Sequence, residues 1–250
     1  MAAVMVALWI HATAKRDASI VDVGWAYGVG AMVILFAALA PGDETRRIVV
    51  GLLGAAWSVR LGTYLLLNRV IGKQEDGRYK RMREALGAKA NAGFFAFFQI
   101  QAIWAVMFAM PMMAVALNTG PFGALDLAGV AVWLLAVAGE GIADAQLAKW
   151  RGNPANKGRT CRAGLWAYSR HPNYFFEWIH WFGYILMAVG SPWFGVSIAG
   201  PILMLVFLFK LTGIPFTEAQ ALRSRGDDYR RYQEEVSIFI PWFPKKRSAG

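Results

Sequence analysis

The sequence lacks three features, each of which would indicate a familiar class of soluble protein. It has a single cysteine, Cys161, so no intrachain disulfide can form. Charged residues make up 17% of the 250 residues, against about 25% in a typical soluble domain. No GxGxxG pattern with a following acidic residue is present, which excludes a dinucleotide site of the Rossmann type. The basic segments are not interleaved with stacking aromatics, so no nucleic-acid partner is expected.

Apolar residues are abundant instead, at 57% of the chain, and they form long blocks separated by short charged clusters. A block of about 20 apolar residues matches the hydrocarbon thickness of a bilayer at the rise of an α-helix. The predicted fold is therefore all-α, a polytopic integral membrane protein with seven transmembrane helices. The predicted spans are 1–13, 19–40, 47–71, 94–118, 124–149, 173–190 and 194–222. The first has no basic segment before it and no small-residue cleavage site after it, so it is interpreted as a membrane helix and not a signal peptide.

The connections between these spans alternate in charge. Basic residues concentrate in Lys15–Arg16 and in the segments 72–93, 150–172 and 223–250, whereas 41–47 is charge-balanced and 118–122 and 190–192 have no basic residue. The positive-inside rule then places the N-terminus outside and the C-terminus in the cytoplasm. The net charge of +10 suits anionic lipid headgroups. The short loops favour the bacterial inner membrane, and a monomer is expected.

Polar and ionisable side chains inside spans are costly to bury in a bilayer, so each is a candidate for a functional site. One interpretation is structural, with buried pairs such as Asp22 and Arg60 holding helices together. The other is a shared polar cavity open to the cytoplasm, which better explains why the charges collect at one end of several spans. The main candidates are Asp22, Arg60, Tyr64, Asn68, Arg69, Glu140, Asp144, Arg151, Asn173, Glu177, His180, Lys210 and Glu218.

The densest polar group lies in the segment 164–177, Gly-Leu-Trp-Ala-Tyr-Ser-Arg-His-Pro-Asn-Tyr-Phe-Phe-Glu. Pro172 fits the start of a helix, and the free N–H groups there suit phosphate oxygens. Arg170 and His171 precede it and can add charge-assisted contacts. Asn173 and Glu177 lie one turn apart on one helical face, where an amide and a carboxylate can hold the carboxamide of a nicotinamide ring.

A basic loop precedes this segment and contains Arg151, Arg159 and Arg162. A 2′-phosphate requires such positive charge, so any dinucleotide here is expected to be bound by helices and loops. Cys161 lies in the same loop, where nearby cations can lower a thiol pKa. An unreactive bystander thiol is the simpler interpretation of this cysteine.

The run 165–174, Leu-Trp-Ala-Tyr-Ser-Arg-His-Pro-Asn-Tyr, together with Glu177, resembles the signature shared by steroid 5α-reductases, sterol C14 reductases and the DUF1295 group. The segments 60–69, 72–79, 213–218, 229–232 and 239–242 resemble the same family, so the similarity extends from about residue 17 to residue 244. The chain is thus similar to a bacterial, DUF1295-like member of the steroid 5α-reductase family. The Arg-His-Pro-Asn-Tyr run is also related to the cofactor cup of isoprenylcysteine methyltransferases.

The resemblance implies one membrane domain, 1–250, that reduces the 4,5 double bond of a 3-oxo-Δ4-steroid with NADPH. Helices within 1–118 would face the substrate, and 119–250 would bind the cofactor. Glu218 falls where the animal enzymes carry a histidine. The implied cofactor contacts are Asn68, Asp144, Arg151, Tyr168, Arg170, His171, Asn173, Tyr174, Glu177 and Glu218.

The implied catalytic group is less well matched. The family has a Gln-Glu pair and a tyrosine facing the steroid ketone, and these positions align with Asp22, Val23 and Trp57. We therefore expect Asp22 to donate a hydrogen bond to the substrate carbonyl as a neutral carboxyl, directly or through a tyrosine. Tyr64 or Tyr27 is the expected hydroxyl. The lipophilic, steroid-like substrate would enter from the membrane lipids.

Two other functions fit parts of the sequence. The related cofactor cup allows a membrane methyltransferase that uses S-adenosylmethionine on a lipophilic thiol or acid. Intramembrane charges alone allow a channel, transporter or scaffold, but that function would leave the 164–177 segment and the basic loops without a purpose.

Overall fold

The computed structural model describes residues 1–211 and 213–245, which are mostly helical. This part of the chain contains no β-strand, and its β-type pairing is limited to an isolated bridge between Ser169 and Ser237. The predicted all-α class is therefore confirmed. Thr212, inside the predicted seventh span, and residues 246–250, at the end of the predicted tail, lie outside the described residues.

Five helical stretches among the described residues are long and apolar enough to cross a bilayer, which makes this a polytopic membrane protein. The predicted first and sixth spans correspond to helices of only 14 and 16 residues, against the ~20 that a bilayer requires. The five stretches are Ile20–Leu39, Glu44–Val70, Gly77–Ala116, Ala124–Gly152 and Phe194–Arg225.

The chain folds as two compact units, and the first comprises Met1–Phe122 and Ala188–Ser197. Part of the predicted basic loop 72–93 is helical, because Asp76 caps a helix by accepting a hydrogen bond from the Arg78 backbone N–H. The helices of this unit are α1 (Ala2–Lys15), α2 (Ile20–Leu39), α3 (Glu44–Leu65), α4 (Gly77–Leu86), α5 (Ala90–Ala116) and α8 (Phe194–Ser197), with a π-helical turn at Leu66–Val70 after α3.

The second unit comprises Gly123–Met187 and Ile198–Gly250. The helices of the second unit are α6 (Ala124–Gly152), α7 (Pro172–Met187), α9 (Ala199–Val206), α10 (Ile214–Arg225) and α11 (Asp227–Glu235), with a π-helical turn at Phe207–Leu211.

Helices α6 and α7 cross with their backbones in contact at two glycines. A Cβ atom on Gly183 would lie 2.6 Å from the carbonyl oxygen of Gly129, which real side chains do not tolerate. One turn along, the Trp133 indole N–H donates to the Tyr184 hydroxyl at 3.0 Å inside the core. This close crossing fixes the facing residues of the two helices, among them the polar residues near the C-terminal end of α6 and the N-terminal end of α7.

Candidate functional site

Asp22, the predicted catalytic carboxylate, lies in the first turn of α2 within a network of the first unit. Its Oδ2 accepts from Arg78 Nη2 at 2.7 Å, and its Oδ1 accepts from the Tyr79 hydroxyl at 2.6 Å. Arg69 Nη1 lies 3.6 Å from the same Oδ2. These partners differ from the suggested Arg60, and that pairing is therefore corrected.

This network also changes the role expected of Asp22. Both of its carboxylate oxygens accept hydrogen bonds, whereas a neutral carboxyl acting on a substrate must donate one. Arg78 is the stronger candidate donor to a substrate carbonyl. Its guanidinium donates three hydrogen bonds to Asp22 and Asp76, which hold it in place. A guanidinium has five N–H groups, and the Arg78 Nη1 group has no acceptor among the described residues.

Tyr64 and Asn68 lie elsewhere in the same unit. The Tyr64 side chain is 55% exposed, and its carbonyl accepts from Asn68 Nδ2 at 2.8 Å. Asn68, within the π-helical turn, thus has a local partner in the preceding helix. The hydroxyl that contacts Asp22 is that of Tyr79, so the structure does not place Tyr64 in the predicted role, and Tyr27 donates to or accepts from Thr63 instead.

In the second unit, the close crossing of α6 and α7 brings Asp144 and Asn173 together. Asn173 Nδ2 donates to Asp144 Oδ1 at 3.1 Å. Glu177 lies one turn further along α7 on the same face as Asn173. The structure therefore brings Asp144 and Asn173 into contact and places Glu177 one turn further along α7.

Arg170, His171 and Glu218 form an interior network, in contrast to the predicted contacts with a cofactor. Arg170 makes four side-chain hydrogen bonds, two to Glu218 at 2.8 and 3.2 Å and two to the carbonyls of Gln233 and Val236 at 2.7 and 3.1 Å. Arg170 is 8% exposed and His171 is 2% exposed. These side chains hold the segment after α11 against the start of α7.

Glu218 is the centre of this network. Its Oε1 also accepts from the Tyr229 hydroxyl at 3.0 Å and lies 3.1 Å from His171 Nε2, while its Oε2 accepts from Gln233 Nε2 at 2.5 Å. Burial lowers the pKa of His171 below its usual value, although the neighbouring Glu218 acts in the opposite direction. Glu218 therefore connects four side chains, those of Arg170, His171, Tyr229 and Gln233, and its contact with a cofactor stays a prediction.

Tyr174 and Tyr168 flank this network. The Tyr174 ring stacks on His171 with centroids 5.4 Å apart and an interplanar angle of 5°, and its hydroxyl lies 3.4 Å from Thr217 Oγ1. Tyr168 is 42% exposed and meets the Phe243 ring edge-on at 6.1 Å. Tyr174 is therefore part of the packing around His171, and Tyr168 is the more accessible of the two.

A cavity of about 590 Å³ opens in the second unit between the loop that follows α6 and one face of α10. Four of its lining residues are cationic and none is acidic, and Trp150 is the aromatic residue among them. Positive charge without a neutralising carboxylate is what phosphate oxygens require. The lining consists of Leu147, Trp150, Arg151, Asn153, Pro154, Asn156, Lys157, Gly158, Arg159, Cys161, Thr217, Gln220, Ala221, Ser224 and Arg225.

The predicted basic loop contributes Arg151 and Arg159 to this cavity but not Arg162. The Arg162 guanidinium pairs with Glu235 and donates to the Asp228 carbonyl, so it serves the packing of α11. Sequence reasoning missed Lys157 and Arg225 as lining residues. Lys157 lies in the same basic loop, which was a usable signal, whereas nothing local connects that loop to α10.

Cys161 also lines the cavity and is buried. Burial raises the pKa of its thiol, and the opposing effects of the Ala163 backbone N–H, Arg151 and Arg225 are smaller. The nearby cations therefore do not lower the pKa of the Cys161 thiol below its usual value. The interpretation of Cys161 as an unreactive thiol fits this geometry.

A protein-family model described as "Protein of unknown function (DUF1295)" matches residues 8–236 of the chain. The matched range includes parts of both compact units, with the Asp22 network, the Asp144–Asn173 pair and all the residues that line the cavity. Neither the curated proteins nor the solved structures contain a match to the chain.

Proposed function

This chain belongs to the DUF1295 family, and we propose that it is a membrane-embedded reductase that uses NADPH to reduce a carbon–carbon double bond conjugated to a carbonyl. The proposed substrate is a flat, lipophilic enone such as a 3-oxo-Δ4-steroid, as the resemblance to steroid 5α-reductases implies. The proposal includes a seven-span topology in the bacterial inner membrane, in which α1 and α7 are the two short spans. The alternation of basic and uncharged connections supports that topology.

The basic cavity is the observation that carries this proposal. Its volume of about 590 Å³ lies within the range of roughly 300–1,000 Å³ typical of cofactor pockets. NADPH carries three phosphate groups, and Arg151, Lys157, Arg159 and Arg225 supply positive charge in a lining that contains no acidic residue. S-adenosylmethionine has no phosphate and a positively charged sulfonium, so this lining favours a phosphorylated cofactor over that of a methyltransferase.

The Asp144–Asn173 pair is the proposed contact for the nicotinamide carboxamide. That carboxamide has one acceptor and two donor positions, and the pair with Glu177 offers an amide and two carboxylates. Because the close crossing at Gly129 and Gly183 fixes the two helices, these groups are held in place before a ligand binds. Such preorganisation reduces the entropic cost of binding.

The cofactor, when bound, supplies a hydride to the β-carbon of the enone. The protein must stabilise the negative charge that then develops on the carbonyl oxygen, and removing such a donor typically costs about 3–4 kcal/mol in the barrier. Within the first unit, Arg78 is the proposed donor, and Asp22 and Asp76 hold its guanidinium in place. Asp22 is then a positioning residue for Arg78 and not itself the donor.

The direct test measures NADPH oxidation by the detergent-purified protein with and without progesterone, and S-adenosylmethionine binding in parallel. Steroid-dependent oxidation with a 5α-reduced product is the expected result. Arg78→Gln is expected to slow turnover while NADPH affinity stays unchanged, and an equal loss of both would remove Arg78 from the proposed role. Binding of S-adenosylmethionine without binding of NADPH would replace this proposal with the methyltransferase.

A further inference from the structure

The segment Ser237–Lys245 carries an apolar surface that the proposed reaction does not use. Phe239 is 5% exposed and packs against Phe175 and Trp178, so one side of the segment faces the core. The opposite side is apolar and exposed, and we name it the tail strip. It consists of Ile238, Ile240, Trp242 and Phe243, with exposed fractions of 39, 57, 70 and 75%.

The backbone of this segment is fixed to the loop Tyr168–His171 by hydrogen bonds. The Arg170 N–H donates to the Ser237 carbonyl at 2.8 Å, and the Trp242 N–H donates to the Tyr168 carbonyl at 2.9 Å. The Ser169 hydroxyl donates to the Phe239 carbonyl at 2.7 Å. The tail strip therefore cannot fold inwards without breaking these bonds, and its exposure is built into the structure.

The charge next to the tail strip identifies what can cover it. Lys245, Lys246 and Arg247 follow the strip directly in the sequence, with no acidic residue after Glu235. Exposed tryptophan and phenylalanine beside clustered cations are typical of segments that lie at the headgroup level of a membrane. An apolar protein surface would match the aromatics but would not match the positive charge that the sequence places beside them.

We propose that the tail strip and its adjacent cations bind the surface of an anionic phospholipid bilayer and hold the Tyr168–His171 loop at that surface. Apolar burial would supply the attachment, and the cations would supply the preference for anionic headgroups. Each cation near such a surface contributes about 1 kcal/mol, a roughly fivefold preference. This inference does not rest on the proposed reductase activity, since it concerns a surface outside the cavity and the Asp22 network.

Because the chain has a single cysteine, replacing it allows one spin label to be placed at a chosen position. In the full-length Cys161→Ser variant, Ile240→Cys is labelled, and Glu234→Cys, exposed in the nearby α11, serves as the matched control. Both proteins are reconstituted in nanodiscs of phosphatidylcholine alone and of phosphatidylcholine with phosphatidylglycerol. Collision rates with oxygen, which concentrates in the bilayer, and with a water-soluble nickel complex are then measured by electron paramagnetic resonance.

The expected result is that the label at position 240 is accessible to oxygen and protected from nickel, whereas the label at position 234 is accessible to nickel. Phosphatidylglycerol should increase the protection, and high salt should reduce the increase. Lys245→Gln, Lys246→Gln and Arg247→Gln together should abolish the dependence on phosphatidylglycerol. Equal nickel access at both positions in both lipids would overturn the proposal, and so would protection that depends on protein concentration, because a second copy of the chain would then cover the strip.

Discussion

The second unit contains two groups of cations that look alike in the sequence and differ in the structure. Arg170 is buried and makes four hydrogen bonds to protein acceptors, whereas Arg151, Lys157, Arg159 and Arg225 line an open cavity without an acidic residue. The two groups differ in whether acceptors of the protein neutralise their positive charge. A buried cation must be paired with internal acceptors to be stable, and a cation that is to bind a phosphate must be left without a competing carboxylate.

The largest expected effect comes from breaking the neutralised group. Arg170→Ala leaves the Glu218 carboxylate buried without its main cation, and removing one partner of a buried pair typically costs about 3–5 kcal/mol. Thermal unfolding of the variant in detergent should show the loss directly. Arg230→Ala is the control, since its side chain is 70% exposed beside Asp227, and a change within about 0.5 kcal/mol is expected there. If the Arg170→Ala protein had normal stability but failed to bind NADPH, Arg170 would be a ligand-binding cation and not a structural one.

Removing cavity cations should have the opposite pattern, with lost affinity and retained stability. A hydrogen bond to a charged group contributes about 1.5–3 kcal/mol, so Lys157→Gln combined with Arg159→Gln should weaken NADPH binding at least roughly tenfold. The unfolding midpoint should stay unchanged, because neither side chain is part of the interior network. Titration of the intrinsic fluorescence with NADPH measures the first quantity, and an unaltered dissociation constant would place the phosphates elsewhere.

A smaller effect is expected at the uncharged end of the proposed site. Asn173→Ala removes the amide that donates to Asp144, and the loss of one neutral hydrogen bond of about 1 kcal/mol corresponds to a roughly fivefold weaker binding of NADPH. Adenosine 2′,5′-bisphosphate lacks the nicotinamide, so its affinity should not change. Equal weakening of both ligands would mean that Asn173 supports the fold of the pocket and does not contact the ring.

The smallest effect is a pH dependence of stability that originates in the interior network. Burial lowers the pKa of His171 below 6.5 in the folded protein, so at pH values between the two pKa values the unfolded chain binds more protons. The free energy of unfolding must then fall as the pH drops below about 6.5 and stop falling below the folded-state pKa. Unfolding midpoints from neutral to mildly acidic pH measure this fall. His171→Gln should flatten it, and an equally steep fall in that variant would assign it to other groups.

The same contrast explains which parts of the site could be predicted from the sequence. Asn173 and Glu177 are one helical turn apart, so local periodicity was sufficient to group them, and long apolar blocks were sufficient for the helical membrane fold. The partner of Arg170 lies 48 residues away at Glu218, and no local pattern encodes that contact. The same is true of Asp22, whose partners Arg78 and Tyr79 lie in a helix that was predicted as a loop. Because the sequence does not reveal those distant acceptors, an arginine that binds phosphate and an arginine buried in the core cannot be distinguished from sequence alone.

The contact of α6 and α7 at Gly129 and Gly183 has a consequence for how the protein responds to its membrane. The two backbones can approach this closely because neither glycine carries a Cβ atom that would clash with the other helix. When a bilayer is thicker or thinner than a helix, the helix usually tilts to match it. In the proposed topology both helices cross the bilayer, and we expect them to tilt together as one body, which would insulate the 3.1 Å hydrogen bond between Asp144 and Asn173 from hydrophobic mismatch. Changes in lipid chain length should then alter the depth of these residues in the membrane and leave their separation unchanged.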